Sequence, residues 1–441
     1  MRPDTAQEAI DFLARYPDVA AIDIVLTDAH GIGRGKMIRR HELLPLFNDG
    51  RGMPASLFAQ DVSGDDVAAA LPVDGGGDSR VWPVAGTLGL NPATGRGVVL
   101  VTMFNASGPH PADPRAAMMA QIARAKAMGF HPKGAMELEF YLMDKNRDDQ
   151  GRVQPARYPL TGRHSSQTHT MSLDELDEMS PFFEAVYAGA KSLNLPFETV
   201  ISEYAAGQFE FTLRYGDLAK AADDIVLAKR LIRATARRFE MEACFMAKPF
   251  GDKSGSGMHL HLSLADDQGR NLFADGADGW LSPLMLSAMG GIRAVMADTM
   301  LIMAPFLNSW RRFSSVIYSP ASNTWGREDR NVALRIPDGS AKSRHFEHRI
   351  AGVDGNPYLI AAVTLGSALD GIADKTDVDI QAQHLPNDWQ SAIECFAASD
   401  SMRRILGTEL HHGFAAVKSA EYEQMAREVT DIEWQKYGFT V

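Results

Sequence analysis

The chain of 441 residues has only two cysteines, Cys244 and Cys395. Two are too few for a disulfide framework or a cysteine-rich metal site, so a reducing, cytoplasmic setting is expected. No stretch offers the ~18 uninterrupted apolar residues of a membrane span, and residues 1–8 lack the apolar core of a signal peptide. Positive charge is also short: 44 Lys and Arg stand against 56 Asp and Glu, a formal net charge of −12. That balance lacks the basic footprint that sequence-independent nucleic-acid binding needs, so neither nucleic acid nor membrane is an expected partner. Phosphate-binding signatures are missing as well. The run Gly31-Ile-Gly-Arg-Gly-Lys36 fits neither GxxxxGK[ST] nor GxGxxG, and reads as turn chemistry feeding a strand. Internal repeats and low-complexity tracts are absent.

What is present is an ordinary globular balance, 45% hydrophobic and 23% charged, in a chain long enough for more than one domain. Residues 5–16 read as an amphipathic helix, 20–26 as a strand, 53–97 as a broken Gly/Pro/Asp-rich region, and 98–103 as an apolar strand. Residues 105–112 have linker composition, and Asp113-Pro-Arg opens a helix with a cap followed by proline. Beyond it come a strand over 135–143 and a capping box, Ser172-Leu-Asp-Glu175, opening a helix toward 193. Long helices are expected over 217–239 and 282–303, with strands at 207–214, 242–247 and 257–264. No regular βαβ rhythm runs through them, so the fold class is α+β. The expected domains are 1–108 and 109–441.

The chemistry gathers on alternating strands. In Ser254-Gly-Ser-Gly-Met-His-Leu-His-Leu-Ser263 the period of two puts His259, His261 and Ser263 on one face and Met258, Leu260 and Leu262 on the other. Gly255 and Gly257 let backbone approach a ligand. Glu137 and Glu139, two apart in a predicted strand, point the same way and repel unless a cation lies between them. Glu203 and Glu210 add two carboxylates, and His345, Glu347 and Arg349 alternate onto one face of another strand. Each pair alone reads as well as a solvated sheet face. Together, hard oxygen ligands with one imidazole suit Mg²⁺ or Mn²⁺, in more than one ion. Arg311, Arg312, Arg330, Arg335 and Arg349, with Lys342, supply cations that match carboxylate and phosphate oxygens.

These residues resemble the glutamine synthetase family. Its motifs run in order through Glu137-Leu-Glu139-Phe, Glu203…Gly207-Gln-Phe-Glu210, Lys248-Pro, Gly255-Ser-Gly-Met-His-Leu-His-Leu-Ser263, Asn308-Ser-Trp-Arg-Arg312, Asn331…Leu334-Arg-Ile-Pro337 and Glu347-His-Arg349…Asn356-Pro-Tyr-Leu359. The resemblance implies a small N-terminal β-grasp-like domain and a large catalytic domain with a curved antiparallel sheet flanked by helices. It implies Glu139, Glu203 and Glu210 as ligands of one metal, and Glu137, His259 and Glu347 as those of a second. Arg312 and Arg349, with Gly255 beside them, would hold glutamate; Arg330 and Arg335 would meet the transferring phosphate; His261, Ser263 and Lys342 would contact ATP. The implied assembly is a homo-oligomeric ring, commonly a dodecamer, with active sites between subunits.

Two departures bear on the acceptor. Glutamine synthetases hold ammonium with an aspartate in an Asp-Gly-Ser-Ser motif and a glutamate on a flap, whereas residues 54–61 read Pro-Ala-Ser-Leu-Phe-Ala-Gln-Asp and Tyr318 falls near the flap acid's place. Losing both anions weakens an ammonium site and favours a larger amine, a polyamine or alkylamine, as acceptor; the signature Glu347-His-Arg…Ala-Gly-x-Asp-x-Asn-Pro-Tyr-Leu359 resembles that of the γ-glutamylpolyamine synthetase-like subgroup. Asp61, Asp65 or Asp66 could supply charge for such an amine, while Phe58, Trp310 and Tyr318 could shape an apolar pocket for a monoamine. True glutamine synthesis and a catalytically silent ring protein are the alternatives. His345 stands where the family carries an arginine near the nucleotide, and the adenylylation-site tyrosine is absent from residues 377–385.

Overall fold

Three sheets and a surrounding set of helices make up the computed structural model, which describes residues 6–71, 77–167, 170–274, 276, 281–314 and 319–441. The first sheet follows the path β2-β1-β6-β4-β3, from β1 (Ala21–Thr27), β2 (Gly33–Arg39), β3 (Arg51–Pro54), β4 (Asp78–Pro83) and β6 (Arg96–Asn105); β5 (Gly89–Asn91) and β7 (Gly108–Pro109) also pair with β6. β1 runs antiparallel to β2 and parallel to β6. The Gly-rich run is the predicted hairpin: Asp28 Oδ1 accepts the His30 and Ile32 N–H groups, each at 2.9 Å, and closes the turn before β2. Ile22, Ile24, Leu26, Val99 and Val101 pack with Phe47 in a core distinct from the main one.

The second sheet has the order β10-β11-β9-β13, from β9 (Leu138–Asp144), β10 (Phe197–Ser202), β11 (Gln208–Leu213) and β13 (Met241–Cys244). The third runs β12-β8-β14-β17-β16-β15, from β8 (His131–Met136), β12 (Gly216–Asp217), β14 (Leu260–Ala265), β15 (Trp325–Arg327), β16 (Leu334–Ile336) and β17 (Phe346–His348). Every pairing in these two sheets is antiparallel except β15 with β16. Helices cover the sheets, among them Leu218–Arg238 and the nearly all-buried Pro357–Asp374, so the fold is α+β.

Four local expectations change: the helix expected from 172 toward 193 is two, Leu173–Glu178 and Ser180–Ser192, meeting at Met179. The single strand over 135–143 is two strands in different sheets, broken at Glu137, whose N–H donates to His259 O at 3.1 Å. Met136, Leu138 and Phe140 keep the apolar alternation across the break, so the pattern conceals it. The helix over 282–303 is two, Pro283–Ala294 and Met296–Met303, bent by 73°. The capping box is half made: Ser172 accepts Glu175 N–H, but the Glu175 carboxylate instead accepts Tyr158 and Ser165 hydroxyls. Among the described residues no single helix is long and apolar enough to cross a membrane.

Candidate active site

β14 lies between β8 and β17, and this placement orders the alternating His-Leu-His run. Leu260, Leu262 and Leu264 are fully buried, while His261 and Ser263 take the other face with His259 just ahead of the strand. His261 stands opposite Glu347 on β17. In the neighbouring sheet Glu210 stands opposite Glu139, two like charges facing each other across a ladder.

These pairings converge. Ligand atoms of Glu137, His259 and Glu347 lie within 4.8 Å of one another, and so do those of Glu137, Glu139 and Glu210. Glu137, freed from strand pairing at the break, belongs to both groups. The first group matches the expected second-metal set. In the other, Glu137 stands where Glu203 was expected. Glu203 is half-buried and accepts the Tyr204 N–H at 3.2 Å; burial and the Glu139 charge push its carboxyl up to about 7. Burial, with the charges of Glu137, Glu139, Glu203 and Glu347, pushes Glu210 up to about 10. Against burial, the His259 charge and hydrogen bond hold Glu137 well below the carboxylate range, and His259 likewise holds Glu347 down to about 2. Burial would lower His259, yet the Glu137 charge beside it at 2.6 Å lifts it to about 9. Carboxylates that repel one another this strongly, with an imidazole among them, are a donor set that fits a hard divalent cation.

The cationic residues divide. Glu347 accepts from Arg335 at 2.9 Å and from Arg349, so Arg349 is spent on a ligand carboxylate and not turned free toward a substrate. Arg312 is buried and donates to Ile350 O at 2.6 Å and Arg349 O at 3.1 Å. It has no carboxylate in hydrogen-bonding contact among the described residues, so its charge stays available. Arg330 and Lys342 are exposed and outside the cluster.

The glycines also act differently from expectation. A Cβ at Gly255 would lie 2.8 Å from Arg312 Cγ, and one at Gly257 would lie 2.8 Å from His259 Nε2. The missing side chains thus admit the protein's own arginine and histidine. Gly257 N–H donates to Glu139 Oε2 at 2.8 Å, while Gln208 holds Gly255 O at 3.0 Å and Tyr141 holds Ser254 O at 2.6 Å. His261 braces Glu137 at 3.0 Å and meets His345 at 3.0 Å; His345 Nδ1–H donates to Ser343 O at 2.7 Å. Ser263 hydrogen-bonds the Tyr215 hydroxyl. Tyr141, Gln208 and Tyr215 were not singled out from sequence, because their partners come from distant strands.

Among the described residues, no acceptor-side side chain hydrogen-bonds or pairs with this cluster. Asp61 Oδ1 accepts the Gly64 and Asp65 N–H groups at 2.8 and 2.9 Å, and Asp66 accepts Gln60 at 3.1 Å, so Asp61 and Asp66 hold their own loop. Phe58 packs against His110, and Trp310 against Phe313. Tyr318 lies outside the described residues.

Residues 111–437 match the family model for the glutamine synthetase catalytic domain. The chain is 35% identical to γ-glutamylputrescine synthetase PuuA of Escherichia coli (strain K12), covering 97% of this chain and 94% of that one. It is 28% identical to glutamate–isopropylamine ligase of Pseudomonas sp, covering 97% and 96%. The solved structure of apo GmaS without ligand superposes with a TM-score of 0.84 at 26% identity, over 99% of this chain and 100% of that one. On the motif order, the clustered acidic ligands and these matches, the chain belongs to the glutamine synthetase family.

Proposed function

We propose that this protein joins the side-chain carboxylate of glutamate to a polyamine or small alkylamine, at the expense of ATP, through a γ-glutamyl phosphate. As a family member it is an ATP-dependent carbon–nitrogen ligase that couples glutamate to an amine. The observation that carries the reading is the pair of ligand groups sharing Glu137, with Arg312, which hydrogen-bonds only backbone carbonyls among the described residues, near them. Glu137, Glu139, Glu210, His259 and Glu347, with Glu203 at the edge, would hold two or more Mg²⁺ or Mn²⁺ ions. Such ions supply neutralisation of phosphate charge.

The chain's own residues do the rest. Arg312 orients glutamate through a carboxylate, while Arg349 steadies the ligand Glu347 and Gly255 makes room for Arg312. Arg335, held against Glu347, faces the phosphoryl group as it passes from ATP to the glutamate side-chain oxygen, leaving ADP, whereas Arg330 stands exposed outside the cluster. His261, Ser263 and Lys342 contact the nucleotide, and Tyr215 joins them through Ser263. The amine nitrogen then attacks the acyl carbon; the bond to the phosphate oxygen breaks, phosphate leaves and the nitrogen gives up a proton. An alkylammonium of pKa ~10.4 leaves about one molecule in 2,500 unprotonated at pH 7, so a nearby base is required. Putrescine and isopropylamine, named for the two relatives, are both aliphatic amines, which supports this acceptor class over ammonia. A homo-oligomeric ring, with residues 1–108 of one copy completing the site of the next, belongs to the same reading.

The test is phosphate release with glutamate, Mg²⁺-ATP and each of putrescine, spermidine, isopropylamine, ethanolamine and ammonium. Turnover with an aliphatic amine is expected. Stimulation by ammonium alone would replace the proposal with glutamine synthesis, and no turnover with any amine would leave a silent ring protein.

A further inference from the structure

Arg312 follows a helix of only four residues, Leu307–Trp310, and sits in the 3₁₀ turn Arg311–Ser314. One turn of helix has no cooperative stability of its own, so something else must hold it. Two side chains do. Asn308 exchanges two hydrogen bonds with the Lys248 backbone, at 2.9 and 2.8 Å, which ties the helix to the segment leading into Gly255. Ser309, 1% exposed, donates its hydroxyl to Asp354 Oδ2 at 2.7 Å.

Asp354 is an acidic residue in unusual company. It lies five positions after Arg349 in the motif Glu347-His-Arg349…Asp354-Gly-Asn356, and takes no part in either ligand group. The backbone around it is anchored: Gly352 N–H donates to Met303 O at 2.9 Å and Val353 N–H to Ser256 O at 3.0 Å. The buried Lys229 amine donates to Val353 O. Burial pushes the Asp354 carboxyl up, while the Ser309 hydroxyl, Lys229 and Arg312 draw it back. The negative neighbours felt by Arg312 are Glu139 and Asp354. Glu139 belongs to the ligand cluster, which leaves Asp354 as the carboxylate behind the arginine.

We propose that Asp354 is a positioning residue for the amino-acid subsite: through Ser309 it fixes the Leu307–Trp310 helix and so aims the buried Arg312 at the substrate carboxylate. The inference rests on the reading of Arg312 as the group that meets glutamate. It predicts a defect confined to glutamate, since the nucleotide residues His261 and Ser263 hang from a different strand.

The experiment is steady-state kinetics on the full-length protein with saturating amine, varying glutamate and ATP separately. Removing a hydrogen bond to a charged group is worth about a tenfold effect, so Asp354→Ala and Ser309→Ala should each raise the KM for glutamate about tenfold, with the KM for ATP changed less than about twofold. Asp354→Asn keeps an acceptor for Ser309 and should recover most of the loss. The double variant Ser309→Ala/Asp354→Ala should fall short of the sum of the single effects, because both cut the Ser309–Asp354 bond, although Ser309→Ala also loses the bond that Ser309 Oγ accepts from Phe306 N–H at 3.1 Å. Arg312→Gln is the control. If it raises the glutamate KM and the Asp354 and Ser309 variants do not, or if their effects add, the positioning role is wrong. A parallel rise in the KM for ATP would reduce Asp354 to general structural support. An unchanged glutamate KM in Arg312→Gln would instead overturn the reading of Arg312. Should Asp354→Ala not fold, Ser309→Ala and Asp354→Asn decide the matter, since both keep the buried carboxylate or its isostere.

Discussion

Glu210→Gln should make the cation-free protein more stable while depriving it of the gain from a divalent ion. Glu210 is 8% exposed and faces Glu139 across the β9–β11 ladder. Its carboxyl is pushed from 4.5 up to about 10 by burial and four neighbouring carboxylates. A group raised in the folded state contributes stability that is complete below its unfolded value and is lost as pH climbs toward the folded one. The window here therefore opens near 4.5 and extends to about 10. Within it each pH unit removes up to about 1.4 kcal/mol, so the step from about pH 6 to about pH 8 removes up to about 3 kcal/mol. Glutamine has the shape of the protonated acid and stays neutral, which abolishes that slope. With about 2.1 cal/mol/K of unfolding entropy per residue, a chain of 441 residues converts 3 kcal/mol into about 3 °C. Calorimetric midpoints in chelator at the two pH values, for wild type and variant, read this directly. The wild-type midpoint should fall relative to the variant by up to that amount, and added Mg²⁺ should raise the wild type more. Equal pH slopes, or an equal Mg²⁺ shift, would refute the idea that Glu210 carries the repulsion a cation relieves.

Glu137→Ala removes the member common to both ligand groups, so Mg²⁺-dependent phosphate release should fall at least about 100-fold, and further than in Glu203→Ala. Gly257→Ala would place a methyl 2.8 Å from His259 Nε2 and 3.2 Å from Arg312 Nη2; weaker Mn²⁺ binding by titration calorimetry in a still-folded protein is expected. Lys418 is fully buried and donates to Glu421 at 2.8 Å, and Glu421 also meets His30 at 2.6 Å across to the first hairpin. Lys418→Met should therefore lower stability by about 3–5 kcal/mol in denaturant titration, and adding Glu421→Leu should recover only part of it, since His30 and the Val62 N–H then lose their acceptor.

Much of the site was legible because its signals are local. A period of two ties His259, His261 and Ser263 to one face wherever the strand lies, and the buried Leu260, Leu262 and Leu264 agree. Asp113 before Pro114 reads as a cap, and its carboxylate accepts Arg115 N–H at 2.8 Å. The missing βαβ rhythm was enough to name the α+β class, and motif order to name the family; the resemblance then implied the set Glu137, His259 and Glu347, whose ligand atoms lie within 4.8 Å of one another. The rest depends on which strands become neighbours. The break at Glu137 is invisible in a continuous apolar pattern, yet it decides that one carboxylate serves both ligand groups. That Arg349 is spent on Glu347, and that Gly255 makes room for Arg312, are likewise fixed by contacts between segments distant in sequence. Residue chemistry and strand period, properties of the chain itself, determined which donor groups share a face. Which carboxylates repel, and which arginine keeps its charge free, were decided only when packing brought β9, β11, β14 and β17 together, because such interactions depend on distance and burial in space.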